Sequence, residues 1–385
     1  MTSTDPIPPQ FIANYPNFAT GKLLSLRERM GIFTPMTGQG VTMAYIDAGF
    51  APHPDNSQRI KLYVDASTKE IRESANVTKV DVMSWHGLMV STVGSGNGAL
   101  SSGYYSGIAP QSNLVFIRVT SPRNHIKEGD ILRGFRWLVK NHKRYRIRVV
   151  NVSVGGDRMS NDPNHPLHVC VAKLVADGVT VVIASGNQGQ WRIVPPASAP
   201  EAIVVGGYND QNSAEVGDWV GYYSNYGTAY DGTPKPDVIA LAEWVPSPIL
   251  PETSVDKEAR WIGDLIGQPS TGMQRLRHRG YQDLKLTRQQ VYQQDKWLYD
   301  DLQNRIFAHK LINRYYQYVD GTSVAAPIVS GTVALMLEAN PDLGVEDIRA
   351  ILTNTAKPLA NIAPEQQGAG IIQVDDAVKA ALDAK

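Results

Sequence analysis

The stretch Val319–Glu338 reads Val-Asp-Gly-Thr-Ser-Val-Ala-Ala-Pro-Ile-Val-Ser-Gly-Thr-Val-Ala-Leu-Met-Leu-Glu. A turn at Asp320-Gly321 passes abruptly into an apolar run too long for one strand. Small residues recur in it at close spacing: Ala325, Ala326, Gly331 and Ala334. The pattern predicts a helix buried on most sides and packed tightly on its neighbours. A chain that must bury such a helix has to build a large core around it. Ser323 falls in the helix's first turn, where backbone N–H groups are unpaired and the dipole is positive. Ser323 is therefore either an N-cap, a place serine favours, or a nucleophile beside an oxyanion site. Pro327 is tolerated this early in a helix more easily than deeper in one.

The chain before this helix has a regular rhythm. Runs suited to strands are Val41–Ile46, Lys61–Val64, Leu114–Val119, Val149–Val154, Val179–Ala184 and Ala202–Gly206. Helical stretches lie between them. One is opened by Trp85-His86-Gly87. A second, Gly129–Arg146, carries Ile131, Leu132, Phe135, Leu138 and Val139 on one face. A third, 165–177, stops at Gly178. The alternation predicts an α/β fold, a three-layer α/β/α sandwich with a mostly parallel central sheet. Polar and glycine-rich sequences stand at the strand ends, where such folds keep their sites. Asp47 follows the first strand, although Asp before a glycine turn is also common. His86 opens a helix, where a histidine is often structural or a cap. Asn187 sits in the loop Ser185-Gly186-Asn187-Gln188-Gly189.

Residues 1–40 read as an N-terminal extension, Pro-rich at first, with a short helix over 22–30. Residues 41–385 read as one domain, interrupted at about 247–318 by a polar, helical insertion. No Gly or Pro occurs from Thr287 to Tyr318. Leu298, Leu302 and Ile306 recur there at helical spacing, with Phe307, Leu311 and Tyr315 alongside, which predicts one long amphipathic helix. Further helices are expected at Val345–Thr355 and Asp375–Leu382, with a turn at Gly368-Ala-Gly370.

Lys and Arg total 37 and so do Asp and Glu, which argues against a nucleic-acid binder. Cys170 is the one cysteine and reads as a small core residue, so no intrachain disulfide forms. No basic, apolar leader opens the sequence and no apolar stretch reads as long enough to span a bilayer. A cytoplasmic protein, away from membranes, is the expectation.

Asp47, His86 and Ser323 form a set with a chemical logic. A serine hydroxyl needs an imidazole to take its proton, and a carboxylate to orient that imidazole and stabilise its charge. Asn187 and the Ser323 backbone N–H are donors of the kind an oxyanion needs. The surrounding residues resemble the subtilisin-like serine proteases, in which the chain order is also Asp, His, Ser. Tyr45-Ile-Asp47-Ala-Gly-Phe-Ala-Pro-His-Pro-Asp55 looks like the family's aspartate motif. His86-Gly87, with Val90 and Gly94 behind, looks like the histidine motif. Gly321-Thr-Ser-Val-Ala-Ala-Pro327 looks like the serine motif. Ala184–Gly189 resembles the oxyanion-asparagine loop, and Tyr223–Gly227 and Lys235-Pro-Asp237 match further landmarks. Leu88, Val324 and Ala240-Leu241-Ala242 depart from the usual pattern.

The resemblance implies a serine endopeptidase acting on protein or peptide substrates without a cofactor. It makes Asp47, His86 and Ser323 catalytic, and Asn187 with Ser323 the oxyanion hole. Ser153, Val154, Gly155, Gly156 and Gly186 become substrate-binding. Calcium is frequent in the family, but no aspartate cluster marks a site, and no metal ligand is assigned. Insertion 247–318 is the expected place for a lid or a regulatory protein partner, with Arg305 and Lys310 in solvent. Two other readings fit the same residues: a peptide-maturing transpeptidase on this fold, or a scaffold protein with an unused triad.

Overall fold

The computed structural model describes residues 10–11, 23–213, 215–267, 269–292 and 295–384. Much of the expected extension, and the start of its helix at Lys22, lies outside them. The part described is α1 (Leu26–Arg29), closed by a capping box between Ser25 and Glu28.

β1 (Thr42–Asp47) lies within a mixed sheet, and all six of its residues are buried. Successive side chains point to opposite faces. Met43 and Tyr45 enter one core, Ala44 and Ile46 the other. β2 (Ile60–Asp65), β3 (Arg72–Ser74), β4 (Asn113–Arg118), β5 (Ile147–Val152), β6 (Thr180–Ala184) and β7 (Ile203–Asn209) follow. Short β8 (Val220–Gly221) pairs with β7, and β9 (Gly227–Thr228) with β10 (Pro234–Lys235) lead to β11 (Val238–Leu241). The strand order is β11-β7-β6-β5-β1-β4-β2-β3. Pairing is parallel except at β3 and β8. The parallel strands therefore share one carboxyl edge, as the alternation of the sequence predicts.

α2 (Ser84–Ser95) covers one face of the sheet through Met89, Val90 and Val93. α3 (Glu128–Tyr145) and α4 (Pro166–Ala176) cover the other. Ile131, Phe135 and Leu138 pack there with Leu167, Val171 and Leu174, and the buried Cys170 joins them.

The predicted long helix over 287–318 is not one helix. The chain leaves the domain after β12 (Val245–Pro248). It forms α5 (Ser254–Gly267), α6 (Pro269–Arg275), a π-helical turn at Leu276–Gly280, α7 (Arg288–Val291) and α8 (Asp295–Ala308). It returns as β13 (Tyr316–Val319), antiparallel to β12. The helical spacing of Leu298, Leu302 and Ile306 is real, and all three are buried in α8. Beyond α8, Tyr315-Tyr-Gln-Tyr-Val319 is rich in strand formers and finds a strand partner, which overrides helical continuation. Phe307, expected along an adjacent line with Leu311 and Tyr315, is half exposed. Neither Arg305 nor Lys310 is freely solvated. Arg305 pairs with Glu258 at 3.1 Å and Asp301 at 2.7 Å, and Lys310 pairs with Asp320.

α9 (Thr322–Ala339) then enters the core, packing against α2 and across β1, β5, β6, β7 and β11. α10 (Val345–Thr355), α11 (Pro364–Gln367) and α12 (Val374–Asp383) close the chain, with Ile348, Leu352 and Val378 on the same core. One expectation about membranes is corrected. By length and composition α9 is apolar enough to cross a bilayer. It is apolar because it fills the space between α2 and the sheet, with 83% of it buried.

Candidate functional site

Asp47 is the last residue of β1, at the carboxyl edge of the sheet, and is fully buried. Its Oδ1 accepts hydrogen bonds from the Ala48 N–H at 2.6 Å and from His86 Nδ1 at 2.6 Å. His86 is the third residue of α2, and its side chain is 24% exposed. Two features bring the ring to the carboxylate. Gly87 lies against the loop after Asp47, where a Cβ would come within 2.0 Å of the Gly49 carbonyl oxygen. The turn before α2 is anchored to β4, because buried Arg118 pairs with Asp81 at 2.8 Å. Arg118 is the register partner of Asp47 across β1 and β4.

Burial disfavours the charged imidazolium of His86. The attraction of Asp47 and the hydrogen bond to it outweigh that cost and hold the imidazole above its ordinary pKa. With Nδ1–H donated to Asp47, Nε2 is left as the basic nitrogen.

Ser323 is the second residue of α9 and is nearly buried. It is not the helix cap, which is Gly321 at φ +129°, a conformation that favours glycine. The Gly321 N–H donates to the Ala242 carbonyl at 2.7 Å. Pro327, four residues after Ser323, has no N–H to give the Ser323 carbonyl. The Ser153 hydroxyl donates to that carbonyl instead, at 3.0 Å. Asn151 Nδ2 donates to Ser153 Oγ at 3.0 Å, and the Ser330 hydroxyl donates to Asn151 Oδ1 at 2.9 Å. The first turn of α9 is thus bolted to the end of β5.

Asn187 Oδ1 accepts from the Thr322 N–H at 2.8 Å and the Thr322 hydroxyl at 2.9 Å. Both partners are donors, so the oxygen must face them and the NH₂ must point away. Gly186 N–H donates to Thr322 Oγ1 at 3.1 Å. Asn225 secures the same loop. Its N–H donates to the Gly186 carbonyl at 2.9 Å, and its Oδ1 accepts from the Gln188 N–H at 2.9 Å.

The structure therefore joins His86 to Asp47, and Asn187 to the residue before Ser323. Among the described residues no hydrogen bond joins Ser323 Oγ to His86. Such contacts are often long in ligand-free sites and shorten on binding. Ser323 and Asn187 share a cleft of about 250 Å³ with Ser153, Val154, Gly155, Gly156 and Gly186. All five residues expected to bind substrate line it, although the Ser153 hydroxyl is already committed to α9. Thr322, Asn225 and Arg192 were given no role by the sequence. The first two lie inside recognisable motifs, whereas nothing around Arg192 marks it.

Among the described residues of 247–318, none lines this cleft. A larger apolar groove of about 840 Å³ lies within the insertion, on α5, α6, the π-helical turn and α8, and its lining among the described residues includes none of the site. Among the described residues no group of three His, Cys, Asp or Glu side chains converges. Asp55, the acidic end of the aspartate motif, accepts instead from the Tyr316 hydroxyl at 3.0 Å. Burial pushes its carboxyl up to about 6, against the opposing hydrogen bond of Tyr316.

The family model described as the subtilase family matches residues 38–370. "Serine protease AprX" of Bacillus subtilis (strain 168) is 27% identical over 351 residues, covering 89% of this chain and 67% of that protein. "Subtilisin Savinase" of Lederbergia lenta is 23% identical, covering 89% of this chain and 93% of that protein. A solved protease from Pseudoalteromonas arctica PAMC 21717 superposes with a TM-score of 0.60 at 21% identity, covering 90% of this chain and 91% of that one. With 333 consecutive residues matched by one family model (370 − 38 + 1), the chain belongs to the subtilase family of serine proteases.

Proposed function

We propose that this protein is a serine endopeptidase in which Ser323 attacks the peptide carbonyl. His86 takes the serine proton and returns it to the leaving amine. Asp47 keeps Nδ1 protonated and offsets the charge that develops on the ring. Asn187 Nδ2 and the Ser323 N–H receive the oxyanion. The observation that carries this reading is the orientation of Asn187. Its oxygen is occupied by Thr322, so its NH₂ is free beside Ser323.

Regulation belongs to the same proposal, with 247–318 as its seat, either through the insertion alone or through a protein partner bound there. The support is mechanical, since the insertion does not roof the cleft. Lys310 pairs with Asp320, immediately before Gly321, and lies 4.0 Å from the centre of the Trp244 ring. The Trp244 N–H donates to Asp320 Oδ1 at 2.9 Å. At the insertion's other end, Leu250 packs on Leu88, two residues after His86.

Ser323→Ala is expected to abolish both peptide hydrolysis and labelling by a fluorophosphonate while the circular dichroism stays native. Retained turnover would remove Ser323 from the mechanism. Asn187→Ala should lower kcat by about 10² to 10³, the range known for one oxyanion donor in subtilisin, with KM little changed. An effect confined to KM would make Asn187 a substrate ligand.

The raised His86 pKa fixes the sign of the pH dependence. Hydrolysis requires the neutral ring, so kcat/KM should climb through one ionisation lying above the ordinary histidine value of about 6.5. Stability runs the other way. The Asp47–imidazolium attraction is fully present below about 6.5 and fades as pH rises through the raised value. A pH-rate profile with chemistry limiting checks the first statement, and denaturation midpoints across that window check the second.

Lys310→Met should reduce kcat several-fold with little change in KM, because it frees the turn that sets Ser323. Equal kcat in parent and variant would leave the insertion without this route to the site.

A further inference from the structure

We propose that the cleft beside Ser323 selects substrates bearing a carboxylate, Glu or Asp, on the residue whose carbonyl is attacked, and that Arg192 is the selecting group. This rests on the peptidase reading above and names its substrate class.

The argument begins with the lining of the cleft. Its walls come from Ser153–Gly156, from Ala184–Gln188 and from the segment carrying Arg192 and Val194. Two contacts close these segments on one another. A Cβ on Gly155 would lie 3.3 Å from Val194 Cγ2, and the Gly156 N–H donates to the Pro195 carbonyl at 2.7 Å. Asn225, Thr322 and Ser323 complete the lining, and among the described residues Arg192 is its only charged one.

Arg192 is held in place by neutral groups. Its Nη2 donates to the Asp157 carbonyl at 2.6 Å, and its backbone N–H to the Tyr226 carbonyl at 2.8 Å. It forms no salt bridge among the described residues. A guanidinium carries five donors in a planar fork that matches a carboxylate. One carbonyl leaves most of that capacity unspent. A carboxylate side chain entering beside Ser323 would meet charge-assisted hydrogen bonds that a neutral or basic side chain cannot make.

The acidic groups nearby are accounted for. Glu128 approaches Gly156, where a Cβ would lie 2.8 Å from its Oε2, but it is not part of the lining and pairs with His165 at 3.1 Å. The Asp157 side chain is exposed. Glu128 therefore moderates the positive potential of the wall without cancelling the donors of Arg192.

The test uses five quenched fluorescent peptides that differ only at the residue whose carbonyl is attacked: Glu, Asp, Gln, Leu or Lys. The full chain should hydrolyse the Glu peptide about ten-fold or more faster in kcat/KM than its neutral isostere Gln, the scale of one charge-assisted pair. In Arg192→Met the Glu:Gln ratio should fall to near one, and in Arg192→Glu the preference should turn toward Lys. Glu128→Gln should raise the ratio. Fluorophosphonate labelling of Ser323 reports whether each variant has formed its site, and the parent's own ratio carries the test if one has not. A parent ratio near one, or a preference that persists in Arg192→Met, overturns the selectivity and leaves the peptidase reading standing. Failure of the parent to cleave these peptides or a random peptide library removes that reading, and the selectivity with it.

Discussion

Pro327 leaves the Ser323 carbonyl without a helical donor, and the hydroxyl of Ser153 fills the vacancy at 3.0 Å. Much of the site follows from that substitution of one donor for another. An ordinary helix holds its first-turn carbonyls with its own backbone. This one gives that carbonyl to β5, which fixes where the helix begins relative to the sheet. The chain Ser330 to Asn151 to Ser153 to Ser323 is buried throughout, so every polar group in it must be satisfied. Loss of any member would leave a buried donor or acceptor unpaired, at about 1–3 kcal/mol. The placement of Ser323 is thereby tied to the stability of the interior.

The parallel sheet supplies the second coordinate. β1 delivers Asp47, the end of β5 delivers Ser153, and the end of β6 delivers Asn187, all to one edge. α2 and α9 meet that edge with their amino-terminal turns. Arg118 and Asp47, register partners on adjacent strands, divide the labour at the edge. One anchors the turn before α2 and the other receives the histidine that α2 carries.

The core elements were readable because their signals are local and redundant. The strand runs, the helix over 345–355 and the residues of each motif are marked by periodicity and turn chemistry together. The insertion was read less well, for a physical reason. Freedom from Gly and Pro permits a helix but does not require one, and the tyrosine-rich end of the segment had a strand partner in Val245–Pro248 that lies some 70 residues back along the chain. The solvent reading of Arg305 and Lys310 failed likewise, because Glu258 and Asp320 reach them only through tertiary folding. Arg192 was invisible for the opposite reason. Its meaning comes entirely from the cleft it borders, and no spacing rule announces that.

The position of α9 has a bearing on how the protein is made. Asp47 and His86 are synthesised well before Ser323, which follows His86 by 237 residues. Until α9 exists, one face of the sheet lacks the helix that fills it, and that apolar surface has to wait or be shielded by other factors. When α9 docks, a large piece of the interior and Ser323 arrive in the same event. A nascent or truncated chain thus combines an uncovered core with an unarmed site. The candidate site is completed only together with the globule that holds it.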